Sequence, residues 1–235
     1  MKPIYEPKGK AKEYGDYALN IYTGCPHRCY YCFAPSVLHK SREEFHSHVE
    51  PRPGIVEAVR KQLENERITD KLIHLCFTCD PYPRGYDSTV TREIIKLLKY
   101  YKNHIQILTK GGKEAIRDFD LLDSGDWFGV TITGDFWNDK KSEPNAASWF
   151  ENLETMAAAH DKQIHTWVSC EPVLDADNIC RLLSGDWPVD RFKIGKLNYH
   201  PSNINWHDFG HEAERLCKQF GRDYYIKEDL RREMD

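Results

Sequence analysis

Three cysteines stand close together at positions 25, 29 and 32, in the segment YTGCPHRCYYCFAP. The glycine and proline of that segment predict a tight loop, and a tight loop lets three thiolates converge on one metal centre. Thiolates are the usual ligands of iron-sulfur clusters. A C-x3-C-x2-C loop supplies three of them and leaves the fourth iron of a 4Fe-4S cluster open to a bound molecule. The competing reading is zinc, with His27 or His39 completing a set of three Cys and one His. Zinc more often draws on two separated Cys/His pairs, and here all three cysteines come from one short loop. Of the other five cysteines, Cys76 and Cys79 are three apart on an expected strand, where alternation sends their thiols to opposite faces. Cys170, Cys180 and Cys217 are isolated and read as ordinary buried cysteines.

The elements that must position this loop follow from an alternation of short apolar runs with longer amphipathic stretches, the pattern of βα units. Strands are expected at Tyr17 to Thr23, Lys71 to Cys79, His104 to Lys110, Trp127 to Gly134, Gln163 to Cys170 and Arg191 to Lys196. Helices are expected at Gly54 to Glu66, Thr89 to Tyr101, Lys113 to Leu122, Ala146 to His160, Ala176 to Leu183 and about Asp208 to Phe220. The ending YYIKEDLRREM reads as a short strand and a charged helix. Strands recurring at this spacing are parallel and joined by helical crossovers. Six units make either an open barrel-like crescent or a doubly wound sheet, and both place ligands at the carboxyl ends of the strands. The expected organisation is one domain: an N-terminal extension over 1–16, a barrel core over 17–200, and a C-terminal helix and cap over 201–235.

Side-chain alternation then sorts each strand by face. Val130 and Ile132 should pack on helices, with Thr131 and Thr133 turned to a polar interior. By the same rule Asn20 and Tyr22 oppose Leu19 and Ile21, and Thr78 and Asp80 oppose Leu75 and Phe77. His165, Ser169 and Glu171 oppose Val168 and Cys170.

Composition sets outer limits. The 235 residues are 40% hydrophobic and 30% charged, with a mean hydropathy of -0.69, as in a water-soluble globular chain. No apolar run approaches the roughly 20 residues that span a bilayer, and the start lacks the apolar core of a signal peptide, so a cytoplasmic location and no membrane partner are expected. A net charge of -4 gives no global basic field for nucleic acid, although a local patch stays compatible with it.

The cysteine spacing, with the aromatic Tyr31 just before the third cysteine, resembles the radical S-adenosylmethionine superfamily. The segments LNIYTGCPHRCYYCFAP, TCDPYP, ILTKG and VTITG, at the ends of the first four expected strands, are most similar to its spore photoproduct lyase branch. The resemblance covers most of the chain and implies an α/β fold, a partial (β/α)6 TIM-like barrel with parallel strands. It implies a 4Fe-4S cluster on Cys25, Cys29 and Cys32, and S-adenosylmethionine on the open iron. Reductive cleavage of that cofactor gives a 5'-deoxyadenosyl radical that abstracts hydrogen from a substrate, with flavodoxin or ferredoxin as electron donor.

For single residues the resemblance implies that Asp80, with Thr78 beside it, accepts from the cofactor's ammonium and that Lys110 pairs with its carboxylate. Thr131 and Thr133 would bond ribose or carboxylate, and Tyr31 would pack on adenine. Glu171, Lys196 and Asn198 would meet ribose or substrate. Spore photoproduct lyases use a cysteine near the end of the second strand to return a hydrogen atom. Thr78 stands in that place here, and the adjacent Cys79 is the candidate relay. The branch favours a nucleic-acid base or nucleotide as substrate and lyase-like repair or modification, with Tyr82, Arg84, Tyr86 and Trp137 available to meet it. A peptide or small metabolite is the rival substrate, and a non-catalytic zinc or iron-sulfur binding module the rival class.

Overall fold

The computed structural model describes residues 2–137 and 139–235. Its eight strands are β1 (Ile4–Tyr5), β2 (Tyr17–Leu19), β3 (Leu72–Leu75), β4 (His104–Thr109), β5 (Trp127–Thr131), β6 (His165–Cys170), β7 (Arg191–Ile194) and β8 (Asp223–Ile226). They form one sheet in sequence order, with β1 antiparallel to β2 and every later neighbour parallel. The helices are α1 (Ala34–Val37), α2 (Arg42–Ser47), α3 (Ile55–Glu66), α4 (Thr89–Tyr100), α5 (Asp139–Ser142), α6 (Trp149–His160), α7 (Ala176–Ser184), α8 (Trp206–Gln219) and α9 (Glu228–Met234). Gly9–Tyr14 and Gly112–Leu121 are 3-10 helices. The result is the partial TIM-like barrel, an open crescent of parallel strands with helices outside. No helix among the described residues is long and apolar enough to cross a membrane.

Apolar periodicity explains the outer layer. Ile105 and Ile107 on β4 and Ile94, Ile95 and Leu98 on α4 are fully buried in one core, the strand contributing alternate residues and the helix its i, i+1, i+4 stripe. Val130 and Ile132 join that core as expected. Local side chains fix the helix starts: Ser41, Ser148, Asp175 and Asn205 each accept the backbone N–H three residues on, satisfying a donor the helix cannot.

The expected second strand is shorter than its pattern. It ends at Leu75, because Cys76 takes the left-handed conformation with φ 73, and the chain turns there. Alternation therefore fails beyond Leu75. Phe77 stacks on His74, with ring centroids 4.2 Å apart, on the interior side rather than with Leu75. The sheet also extends beyond 17–200 at both ends, through β1 and β8.

The interior of the crescent is closed at its base by the N-terminal segment. Glu13 and Tyr14 reach from beside β2 to the far edge, where Glu13 Oε1 accepts from the Tyr225 hydroxyl at 3.1 Å and from Glu228 N at 2.9 Å. Tyr14 then sits among His74, Phe77 and Trp167. Gly129 leaves room for the Trp167 indole, which a Cβ would overlap, and Trp167 Nε1 donates to Ile107 O at 3.0 Å.

Candidate active site

The cysteine loop follows β2 and is gripped from two sides. From α2, Arg42 donates to Cys29 O at 2.6 Å and to Cys32 O at 3.3 Å. His46 Nδ1 lies 2.8 Å from Cys25 O, and Cys25 N donates to Phe45 O at 3.3 Å. Gly24 permits this approach, since a Cβ there would overlap Phe45 O and His48 O. From the other side residues 142–145 lie against it. Tyr30 N donates to Ser142 O at 3.0 Å, and Asn145 donates to His27 O at 3.2 Å and Pro26 O at 2.9 Å. A loop whose carbonyls are spent on neighbours holds its side chains in fixed directions, which a multi-thiolate centre needs.

Cys25, Cys29 and Cys32 are free thiols. Burial pushes all three up, with like charge from Asp80 adding to Cys25 and from Glu143 adding to Cys29. Deprotonation here therefore depends on metal, which ligation provides. Among the described residues, the one group of three potential ligands whose donor atoms all lie within 4.8 Å of one another is His104, Asp123 and Asp126. That group is at the opposite end of the sheet, and Lys99 already pairs with both acids at 2.8 and 2.7 Å. The three cysteines are spread more widely. Zinc bound at about 2.3 Å to each sulfur needs them roughly 3.8 Å apart, whereas a cluster holds its cysteines at separate corners. His27 is also committed elsewhere: its Nε2 accepts from Arg84 N at 3.3 Å and its Nδ1 lies 3.5 Å from Asp80. Burial lowers its pKa. The donor set fits a cluster better than a Cys3His zinc ion.

Asp80 is tied to the protein at both carboxylate oxygens. Its Oδ1 accepts from Tyr82 N at 2.8 Å and the Thr109 hydroxyl at 2.6 Å, and its Oδ2 from Lys110 N at 2.8 Å with His27 Nδ1 beside it. A carboxylate offers about four lone-pair positions; protein donors take three of them, and His27 Nδ1 stands 3.5 Å from Oδ2. Asp80 therefore clamps the ends of β3 and β4 to the cysteine loop, whatever further donor its remaining lone pair meets.

An acid close to Cys29 that sequence reasoning missed is Glu143. It is buried, lies 2.8 Å from Lys110 Nζ and accepts from the Tyr31 hydroxyl. The ion pair is poorly aligned for a hydrogen bond, so the Lys110 protons have no good acceptor. Lys110 also lies 5.5 Å from the Tyr31 ring centroid. Thr78 Oγ1 is buried without a partner. Thr131 pairs in register with Ser169 and faces the interior, on the same side as Gly129. Thr133 anchors the next loop, its carbonyl accepting from Leu174 N at 2.8 Å.

Glu171 faces the interior, where Oε2 accepts from the Tyr14 hydroxyl at 2.8 Å and from Lys227. Below it, Lys193 donates to Glu13 O at 3.0 Å and lies against the Tyr14 and Trp167 rings. Burial and the nearby Lys227 charge lower the Lys193 pKa to about 8. Lys196 and Asn198 are not brought to the site: Lys196 pairs with Glu233 on α9, and Asn198 bonds the Lys196 carbonyl at 3.3 Å. Of the four residues expected to meet a base, Tyr82 is fully buried and Arg84 pairs with Glu151 at 2.9 Å. Tyr86 and Trp137 are exposed, Trp137 to 87%. Cys79 packs beside Tyr22, its Sγ accepting from Tyr22 N at 3.4 Å.

Two cavities open at this end, with Tyr30 as their shared wall. One, of about 440 Å³, is lined by Tyr30, Leu174, Asp175, Leu197, Asn203 and Ile204. The other, of about 430 Å³, is lined by Tyr30, Asp135, Lys141 and Ser142. Both adjoin the loop that carries the cysteines.

An open parallel barrel with a three-cysteine loop at the carboxyl end of its first parallel strand defines a class of cluster-bearing enzyme. The Radical SAM superfamily model matches residues 19–178, and the chain belongs to that superfamily. It uses a 4Fe-4S cluster and S-adenosylmethionine. No curated protein matches it by sequence. A double mutant of spore photoproduct lyase with bound AdoMet and dinucleoside spore photoproduct aligns at a TM-score of 0.69 and 14% identity, over 94% of this chain and 78% of that one. Streptococcus suis SuiB bound to precursor peptide SuiA aligns at a TM-score of 0.64 and 12% identity, over 89% and 48%. At these identities the likeness is one of fold.

Proposed function

We propose that this protein abstracts a hydrogen atom from a pyrimidine-type nucleobase or nucleotide held beside Tyr30, in a lyase-like repair or modification. When bound, the cluster and S-adenosylmethionine supply one-electron cleavage of a sulfonium to methionine and a 5'-deoxyadenosyl radical. The chain's own residues do the positioning. Cys25, Cys29 and Cys32 hold the cluster. Lys110 and Glu143, one cation and one anion side by side, complement the carboxylate and ammonium of an amino acid. Thr78, with an unspent hydroxyl, and Thr131, Thr133 and the free Oε1 of Glu171 line the path towards ribose. Tyr31, half-buried beside Cys29, shields the thiolates from water.

The observation that carries the substrate reading is the exposed Tyr30 between the two cavities, a surface on which a base stacks, with the exposed Trp137 two residues from the cavity-lining Asp135. The spore photoproduct lyase structures with dinucleoside support it. A second reading, a peptide substrate, is favoured by Asp135 and Asp175 in the cavity walls, which repel phosphate, and by the SuiB likeness. The test is an anaerobic assay with reductant and S-adenosylmethionine, offering deuterated pyrimidine dinucleosides or deuterated peptides. Deuterium recovered in 5'-deoxyadenosine from the dinucleosides supports the first reading. Recovery from peptides alone overturns it.

A further inference from the structure

Of the two cavities that share Tyr30, the smaller has Asp135 and Lys141 in its wall, one charge of each sign. The larger, of about 440 Å³, is lined by Asp175 and Asp177 and, among the described residues, by no cation. Neither acid is neutralised. Asp175 Oδ1 caps α7 by accepting from Asn178 N at 2.9 Å, and its other oxygen takes no hydrogen bond or ion pair among the described residues. Asp177 is exposed in the first turn of α7 and takes none at all among them. The α7 N-terminus adds a partial positive charge of about half a unit, which two full negative charges outweigh. Leu174, Leu197 and Ile204 supply an apolar stretch of the same wall, and Tyr30 an aromatic one.

The acidic part of the wall is fixed in place by the loop behind it. Leu174 N donates to Thr133 O at 2.8 Å, and Asn178 Nδ2 to Gly134 O at 2.8 Å. Gly134 permits the close approach, since a Cβ there would overlap Asp175 O. A wall already ordered loses little freedom when a ligand arrives.

We infer that this cavity binds a primary alkylammonium group, carried by a free diamine or by a lysine side chain. The ammonium, a compact charge with three donors and no acceptor, meets the carboxylates of Asp175 and Asp177. Its alkyl stem lies along Leu174, Leu197 and Ile204, as the stems of amphipathic side chains do. The Tyr30 ring adds a cation–π surface. The inference goes beyond the reaction proposed above. Binding here needs neither reductant nor radical, and it does not depend on whether a nucleobase or a peptide reacts.

Isothermal titration calorimetry of the anaerobic, cluster-loaded protein without reductant tests it. The probes are cadaverine and Nα-acetyl-lysine methylamide, with pentanol and pentanoate as neutral and anionic controls. An amine should bind about tenfold more tightly than pentanol, as one exposed cation–π contact and two solvent-screened ion pairs together allow. Pentanoate should not bind. Binding of cadaverine alone assigns the site to a free diamine, and binding of the lysine derivative alone to a peptide side chain; either supports the inference. Asp177→Asn should weaken amine binding about threefold. Asp177→Lys, which brings its own ammonium to the wall, should abolish it. Amines that bind no better than pentanol, or amine binding that both variants leave unchanged, overturn the inference. The readout is binding alone, so its failure is separate from failure of the proposed reaction.

Discussion

The Tyr14 hydroxyl donates to Glu171 Oε2 at 2.8 Å across 157 positions of sequence, joining the N-terminal segment to the end of β6. Lys227, 3% exposed, pairs with the same oxygen and lies 3.4 Å from Glu13. Removing the Glu171 charge leaves the buried Lys227 cation with only the longer Glu13 contact, which costs more than losing one neutral hydrogen bond. Glu171→Gln should therefore destabilise the fold by about 3 kcal/mol and Tyr14→Phe by about 1 kcal/mol, measured by urea unfolding. Equal effects would mean that Lys227 is held by other groups.

Asp80→Asn separates a clamp from a cofactor ligand. Its amide retains one acceptor oxygen and turns its NH2 towards the donors on the other side, the Lys110 amide and His27 Nδ1 or the Tyr82 amide and Thr109 hydroxyl, so the loop that holds Cys25 and His27 should loosen. The expected outcome is a lower unfolding midpoint and at least a halved iron content after reconstitution, although Asp80 ligates nothing. Full iron loading and unchanged stability with weakened S-adenosylmethionine binding would favour the ammonium-acceptor role over the clamp.

Much of this was legible in the sequence, for reasons that also mark where legibility stops. Strands such as HIQILT and helices such as α4 announce themselves because burial on one face repeats with the period of the backbone. The cysteine loop announces itself by composition. The end of β3 does not, because LIHLCF continues an apolar run through a left-handed turn that carries cysteine rather than glycine. Glu143 sits in a non-periodic loop, and its value comes from Lys110, which is near only after folding. Arg42 and Tyr14 are hidden for the same reason.

Lys193 gives a pH signature. Its folded pKa of about 8 lies below the ordinary value of about 10.4, so between these the unfolded chain binds more protons than the folded one. Stability contributed by this site rises with pH across that window. The burial penalty is complete below about pH 8 and gone above the unfolded pKa. Lys193→Met removes the titration. The difference in unfolding free energy between wild type and variant should change between pH 8 and roughly 10.4 and stay flat from pH 6 to 7. A difference that is constant across the whole range contradicts the assignment.

Gly129→Ala tests the packing of the barrel interior. The new methyl group would overlap the Trp167 indole, which is fully buried and bonded to Ile107 O. Overpacking of this kind costs about 1–3 kcal/mol, and displacement of the indole should shift tryptophan emission. A change under about 0.5 kcal/mol, the range of neutral surface substitutions, would show that the indole has room to move.

The central claim is that one loop holds a cluster with a corner open to S-adenosylmethionine, and electron paramagnetic resonance of the anaerobically reconstituted, dithionite-reduced protein tests it most directly. The expected result is about four irons per chain, a reduced-cluster signal that changes when S-adenosylmethionine is added, and loss of that signal in Cys29→Ala. A colourless protein with one zinc, or a cluster signal that the cofactor leaves untouched, would contradict it.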